Sequence, residues 1–319
     1  MAGVEEPLVV GVDVGGSNVR VAPFQGLRRL GDPVVRATPR DPARVIPVIA
    51  GAVRSVVDEQ ASLGRRVRAV GVGFPGVVDV EQGVSISAGN LPGWTGGPVA
   101  AELSTALGLP VALENDVRAG GWGEVWAGAA RRASSAVYVS IGTGVGGAVF
   151  LGGEAWYGAG FSAGEIGHMV LDASASQARC RCGQVGDAEP LLGGYGVEAM
   201  ARPFAGRRVM ATEVLEAGAR GEGGFAEVRS RVVGYFAILL ANVAAAFDPE
   251  VVVIGGGLGT HPAYPVEEGT ARFEKTAPGW LKRTMRVARA ELGPHSGITG
   301  AAVVALRRLG WERPSRREG

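Results

Sequence analysis

The sequence predicts an α/β protein of two domains, and three observations carry that prediction. The chain has 319 residues, more than one ordinary domain needs. Apolar β-type runs alternate with stretches of helical character along most of its length. Two glycine-rich segments echo each other, Val9-Val10-Gly11-Val12-Asp13-Val14-Gly15-Gly16-Ser17-Asn18-Val19-Arg20 and Val139-Ser140-Ile141-Gly142-Thr143-Gly144-Val145-Gly146-Gly147-Ala148. Each is an apolar run, a bend of glycines with a hydroxyl residue, and a second apolar run. That is the pattern of a β-hairpin, not of a strand feeding a helix. Glycines let backbone N–H groups converge on an anion without side-chain obstruction. Two such loops, each near the start of its own half, point to one phosphate chain held by two related domains.

Taken in order, residues 1–118 read as a smaller N-terminal α/β domain and residues 119–319 as a larger C-terminal one. In the first, the opening hairpin precedes a helix around Pro42 to Leu63, a strand at Val67 to Val72 and the loop Gly73-Phe74-Pro75-Gly76. A helix follows at Pro98 to Leu107, then a short strand, Val111-Ala112-Leu113, ending at Glu114-Asn115-Asp116. The second opens with a helix around Val117 to Ala130 and continues with the second hairpin, a Cys-containing loop, several helices and the strand Val251 to Ile254. The apolar stretch Val232 to Phe247 is shorter than a membrane span and contains Asn242, so it reads as a buried helix stopped at Asp248-Pro249.

The composition excludes several function classes. A formal net charge of +1 gives no global field to draw nucleic acid or membrane. The acidic start, Met1-Ala2-Gly3-Val4-Glu5-Glu6, lacks the basic and apolar regions of a signal peptide. The two cysteines, Cys180 and Cys182, fit a metal site or a reactive pair better than a disulfide framework, which points to a cytoplasmic compartment. Nothing resembling a helix-turn-helix precedes the first strand, which argues against a DNA-binding repressor.

The glycine strings are not dinucleotide fingerprints. Gly71-Val72-Gly73-Phe74-Pro75-Gly76 matches as a string, but the extended-looking Val77-Val78-Asp79-Val80 follows where a helix should. Gly142 to Gly147 fails the same test. Gly255-Gly256-Gly257-Leu258-Gly259 follows a good strand, but no strand-positioned acid clearly follows it. The only lysines are Lys275 and Lys282, so a P-loop and an early kinase-type strand lysine are both excluded. Phosphate charge must then be met by backbone amides, arginine or a divalent cation.

Four constellations carry candidate chemistry. Asp13 ends the first strand beside Gly15-Gly16-Ser17, where a carboxylate can hold magnesium next to phosphates; the plain alternative is a turn aspartate bonded to its own backbone. Glu114-Asn115-Asp116 sits at a strand end, where open α/β sheets bind ligands. An aspartate there can accept the proton of an attacking hydroxyl, and an asparagine can orient a polyol; either can equally be the N-cap of the following helix. Gly164-Glu165-Ile166-Gly167-His168 is followed by Cys180-Arg181-Cys182-Gly183, Asp187 and Glu189. One histidine, two thiolates and a carboxylate form a tetrahedral zinc set, with two metal-free thiols as the alternative. Asn90-Leu91-Pro92-Gly93-Trp94 adds an amide and an aromatic in a turn.

With these motifs in order, the chain resembles the ROK family (repressors, open reading frames and sugar kinases) from the first strand to roughly residue 305. The resemblance implies a two-domain actin-like, ribonuclease-H-like ATPase fold with the active site in the cleft between the domains. It implies phosphoryl transfer from ATP, with Mg2+, to a hexose hydroxyl. By position it makes Asp116 the catalytic base, and Asn90, Asn115, Asp116, Glu165, His168 and Glu189 sugar ligands. It makes Asp13, Gly15, Gly16, Ser17, Gly142, Thr143 and Gly144 phosphate and magnesium groups, with Gly255, Gly256 and Gly257 near adenosine. It makes His168, Cys180, Cys182 and Asp187 ligands of a structural Zn2+. The expected assembly is a homodimer or homotetramer. The chain departs from the family at three places. Ser17 stands for the usual Thr, Asp187 stands at the third zinc cysteine, and Val117-Arg118-Ala119-Gly120 follows Asp116 where small or amide residues are commoner.

The expectation is an ATP-dependent glucokinase acting on the 6-hydroxyl of glucose. Fructose, mannose, N-acetylglucosamine and N-acetylmannosamine are the alternative acceptors, polyphosphate the alternative donor, and a sugar-sensing regulator the alternative outside catalysis.

Overall fold

The computed structural model describes residues 6–88 and 94–312. In chain order its elements are β1 (Leu8–Val14), β2 (Asn18–Gln25), β3 (Arg28–Arg29), β4 (Val34–Ala37), α1 (Val45–Ser62), β5 (Ala69–Phe74), β6 (Val77–Asp79) and β7 (Val84–Ser87). Next come α2 (Val99–Leu107), β8 (Val111–Asn115), α3 (Asp116–Ala127), β9 (Ser135–Ile141), β10 (Val145–Leu151) and β11 (Glu154–Ala155). Then follow α4 (Ala188–Leu192), α5 (Gly194–Ala205), α6 (Ala211–Ala219), α7 (Gly223–Phe247), β12 (Val251–Gly255), α8 (Val266–Thr276), β13 (Arg286–Arg289) and α9 (Ser296–Arg308).

The chain divides into two compact units. The first comprises Met1–Arg131, Tyr157–Ser162 and His295–Gly319, the second Arg132–Trp156 and Ala163–Pro294. The expected cut after residue 118 falls inside α3 and differs from this division. Both α3 and the C-terminal α9 belong to the first unit, because α9 packs on α3, β1 and β5. No local reading assigns α9, Ser296–Arg308, to strands that end at Val14 and Phe74.

The main sheet of the first unit runs β3-β2-β1-β5-β8, and the sheet of the second runs β11-β10-β9-β12-β13. Each is an antiparallel three-stranded meander extended by two parallel strands, and in the first sheet β4 also pairs with β2. The same order built twice is the duplicated sheet of the actin-like fold.

Strand alternation positions Asp13. On β1, Val10, Val12 and Val14 face the core that also holds Val45, Ile49 and Val53 of α1. Val9 faces the opposite core, with Ile298, Ala302 and Leu306 of α9. Gly11 and Asp13 share that face. A Cβ on Gly11 would overlap the Ile298 carbonyl, and one on Gly71 of β5 would overlap the Ala301 carbonyl. These strand glycines let α9 lie directly on the sheet, and the same alternation brings the Asp13 carboxylate against Gly297 in the first turn of α9.

In the second unit α7 supplies Val228, Val232, Phe236, Leu239, Leu240 and Val243 to one large core with Val137, Val139, Ile141, Val252 and Ile254. The helix is 25 residues, longer than the apolar stretch alone, and by length and composition it could cross a membrane. Its buried stripe makes it the core helix of this unit. It ends where expected, with Asp248 in a left-handed conformation before Pro249.

Candidate active site

The β1–β2 register places Arg20 opposite Asp13. Arg20 Nη1 lies 3.4 Å from Asp13 Oδ2. Burial pushes the Asp13 carboxyl above the ordinary carboxylate range, and the Arg20 guanidinium partly pulls it back. The turn closes with Gly15 N–H donating to Asn18 O at 2.9 Å. Thr38 braces it, its hydroxyl donating to Gly15 O at 2.6 Å and its N–H to Ser17 O at 3.0 Å. Gly16 and Ser17 are exposed, and a Cβ on Gly16 would meet nothing within 4 Å. A braced, open glycine bend beside a carboxylate and a guanidinium is suited to phosphate and its counter-ion.

The β8–α3 junction divides the labour that the sequence left open between Asn115 and Asp116. Asn115 is the N-cap of α3, its Oδ1 accepting from Arg118 N–H at 2.8 Å. Its Nδ2 donates to Gly76 O at 2.9 Å and to Asp116 Oδ1 at 3.1 Å. Asp116 is the first helical residue, and the same Oδ1 accepts from Val117 N–H at 2.9 Å. Two donors on one oxygen fix the plane of the Asp116 carboxylate.

In the second unit, the second glycine bend closes with Gly142 N–H donating to Gly144 O at 2.9 Å. Gly194 and Tyr195, which begin α5, donate to Gly142 O and Thr143 O at 2.9 and 3.1 Å. A Cβ on Gly144 would overlap Glu189 Oε2, so the carboxylate of Glu189 lies on the glycine bend itself. A Cβ on Gly256 would overlap Ile141 O, and Leu258 and Gly259 N–H donate to that oxygen at 2.9 and 2.8 Å. Gly255 to Gly259 therefore lies at the carboxyl end of β9, where the bend begins. The chain after Gly255 turns and α8 starts only at Val266, so the last dinucleotide candidate also lacks its helix.

His168 Nδ1 lies 3.1 Å from Asp187 Oδ2 and 3.7 Å from Cys180 Sγ; Cys182 Sγ lies 3.6 Å from Asp187 Oδ2. Ligand atoms of all four residues fall within 4.8 Å of one another. Cys180 Sγ is also 3.7 Å from Glu189 Oε1, which joins this cluster to the glycine bend. Glu165 is exposed three residues before His168. Asn90 lies outside the described residues. The first unit thus carries Asp13, Gly15, Gly16, Ser17, Asn115 and Asp116; apart from Asn90, the second carries the other expected residues.

Residues 9–308 match the model of the ROK family. The chain belongs to that family. The N-acetyl-D-glucosamine kinase of Vibrio cholerae serotype O1 is 32% identical over 306 residues, which cover 93% of this chain and 99% of that one. The crystal structure of a ROK hexokinase from Thermus thermophilus is 33% identical with a TM-score of 0.81, over 95% of this chain and 99% of that one. A ROK family glucokinase from Streptomyces griseus, solved with glucose and AMPPNP, is 26% identical with a TM-score of 0.79, over 94% of this chain and 99% of that one. The expected class, a phosphotransferase acting on a hydroxyl group, agrees with these ROK relatives.

The chemistry of the donor set in this ROK chain, an imidazole, two thiols and a carboxylate gathered within 4.8 Å, fits a divalent cation. Asp187 is fully buried, yet its Oδ1 has no hydrogen-bond partner. Burial, then the Cys182 and Asp187 side chains, pushes the Cys180 thiol up to about 12 against the opposing Cys182 N–H. A thiol that holds its proton beside an orphaned buried carboxylate oxygen is the environment a divalent cation inverts.

Two side chains that contact candidate motifs, one in each unit, escaped sequence reasoning. Tyr157 OH donates to Glu114 Oε2 at 2.8 Å, and Tyr195 OH lies 3.4 Å from Glu189 Oε1. The opposite charges of Glu114 and Arg118, four residues apart, were the one available signal.

Proposed function

We propose that this ROK chain transfers the γ-phosphoryl group of ATP to a hydroxyl of an N-acetylhexosamine, with N-acetylglucosamine the first acceptor to test. One observation carries the choice of acceptor: the 32% identity to an N-acetylglucosamine kinase over 306 residues. It moves the N-acetylated sugar ahead of glucose, the acceptor expected from the sequence. Glucose is the second reading, favoured by the hexokinase and glucokinase structures.

In this reading Asp116 takes the proton of the acceptor hydroxyl as its oxygen attacks phosphorus. The fixed plane of its carboxylate, held by Asn115 and Val117, aims the accepting oxygen without further ordering. The amides around Gly15-Gly16-Ser17 and Gly142-Thr143-Gly144 hold phosphate oxygens, and Gly255-Gly256-Gly257 lies toward adenosine. Asn90, Asn115, Glu165, His168 and Glu189 are assigned to the sugar. Asp13 would help to hold magnesium, which would neutralise phosphate charge. His168, Cys180, Cys182 and Asp187 are assigned to zinc, which would cross-link the loop that leads into α4 and Glu189.

A coupled assay with ATP across N-acetylglucosamine, N-acetylmannosamine, glucose, mannose and fructose tests the acceptor. The expected result is the highest kcat/KM for N-acetylglucosamine. A glucose maximum selects the second reading, and turnover of no sugar removes both. Asp116→Asn is expected to lower kcat by about 10²- to 10⁴-fold, the usual contribution of a positioned general base. Near-normal turnover would take Asp116 out of that role.

A further inference from the structure

We infer that a buried clamp, made by Glu114 and Arg118 on one side and by Tyr157 and the Phe161 carbonyl on the other, positions the chain segment that carries Glu165. Tyr157 and Arg118 are then positioning residues for recognition of the sugar. The inference rests on the kinase reading for its consequence, but the clamp itself does not.

The Glu114 carboxylate is buried and accepts from four donors. Oε1 takes the Asn115 N–H at 2.9 Å and Arg118 Nη1 at 3.0 Å; Oε2 takes Trp122 Nε1 at 3.2 Å and Tyr157 OH at 2.8 Å. Arg118, equally buried, donates through Nη2 to Phe161 O at 3.2 Å and lies over the Tyr157 ring at 4.8 Å. The Tyr157 and Phe161 rings meet edge to face at 6.3 Å. A buried ion pair with this many partners is rigid, because any displacement strands charge in a poor dielectric.

The segment held this way is short and lies between two stretches of the other unit. Residues 157–162 belong to the first unit, whereas 132–156 and 163–294 belong to the second. Phe161 has φ +60°, a left-handed conformation a bulky residue keeps only where its surroundings impose it. The bond from Arg118 to its carbonyl is such an imposition. Burial, then the Glu114 charge, pushes the Tyr157 phenol above its ordinary range, so it remains a donor. One carboxylate thereby ties the strand end that leads into Asn115 and Asp116 to the segment that leads, four residues after Phe161, into Glu165.

The test compares the wild type with Tyr157→Phe, which deletes one hydroxyl and keeps the ring, and with Arg118→Lys, which keeps the charge but loses the forked reach. Hydrogen exchange over peptides spanning 157–165 is expected to quicken in both variants, with melting still cooperative. The KM for the sugar is expected to rise roughly three- to tenfold, the scale of one lost hydrogen bond, with the KM for ATP within about twofold of wild type. Unchanged exchange over 157–165 would overturn the clamp. Quickened exchange with unchanged sugar KM, or with both KM values moving together, would overturn the positioning role. If the wild type phosphorylates no sugar in the panel, the kinase reading and the sugar role fall together, and exchange rates alone then decide the clamp.

Discussion

Asp13 keeps a carboxylate where its surroundings oppose the charge. Desolvation raises its pKa, and Arg20 at 3.4 Å offsets this only in part. An acid whose pKa is raised on folding binds its proton more tightly in the native state. Its effect on stability is nil below the unfolded carboxylate pKa of about 4. It becomes increasingly unfavourable as pH rises from there through the native pKa. Asp13→Asn is therefore expected to be more stable than wild type at pH 7, with the advantage fading toward and below about pH 4, and to have lost kinase turnover. Urea midpoints at both pH values, read beside the coupled assay, check the pair; a variant less stable at pH 7 would contradict the assigned cost. The position of Asp13 was legible because a hairpin and a glycine bend are local patterns. The division of roles between Asn115 and Asp116 was not, because both suit a helix N-terminus and only the observed cap on Arg118 N–H assigns that job to Asn115. Glu114 was legible as part of a motif but not as a hub, since Tyr157 lies 43 residues away.

A strand glycine and a helix glycine have opposite consequences here, and the first unit provides one of each. Gly71 and Gly73 belong to a string that imitates a dinucleotide fingerprint, but β6 follows it and no helix begins there. Their purpose is contact. A Cβ on Gly71 would overlap the Ala301 carbonyl of α9, and one on Gly73 would come within 3.2 Å of the Ala119 Cβ on α3. Gly71→Ala must therefore push α9 off the sheet, at about 1–3 kcal/mol or more. Gly51, on the exposed face of α1, meets nothing within 4 Å, and Gly51→Ala is expected to stabilise by about 0.5–1 kcal/mol through helix propensity and a less flexible unfolded chain. Chemical denaturation of the two variants separates these outcomes, and equal effects would mean that α9 does not approach β5 as described. The hairpins, α1, α2 and β12 were legible from periodicity and breakers. The return of α9 to the first sheet was not, because an apolar helical stripe does not name the surface it covers. For the same reason the packing of α3 on α9 could not be read from the sequence.

At the scale of the molecule, the sheet order built twice gives each unit its own apolar core, and the four residues assigned to zinc all lie in the second unit. Removal of a bound cation should therefore act unevenly along the chain. Cys180 Sγ lies 3.7 Å from Glu189 Oε1, and the Glu189 carboxylate rests on Gly144. Loosening of the cysteine loop should pass to Glu189 and then to the bend at residues 142–144. Elemental analysis of the purified protein is expected to find close to one zinc per chain. Chelation is expected to quicken hydrogen exchange over residues 142–144 and 165–195, leaving residues 8–25 and 69–87 at their original rates. Asp187→Cys, which replaces a hard oxygen donor by a thiolate, should make the zinc harder to strip, whereas Cys182→Ser should make it easier. Zinc-free protein with these same exchange rates would show that the cluster is held by the His168–Asp187 hydrogen bond and its neighbours alone. Uniform quickening of both units on chelation would show that the cation, if present, supports the chain as a whole and not the loop beneath Glu189.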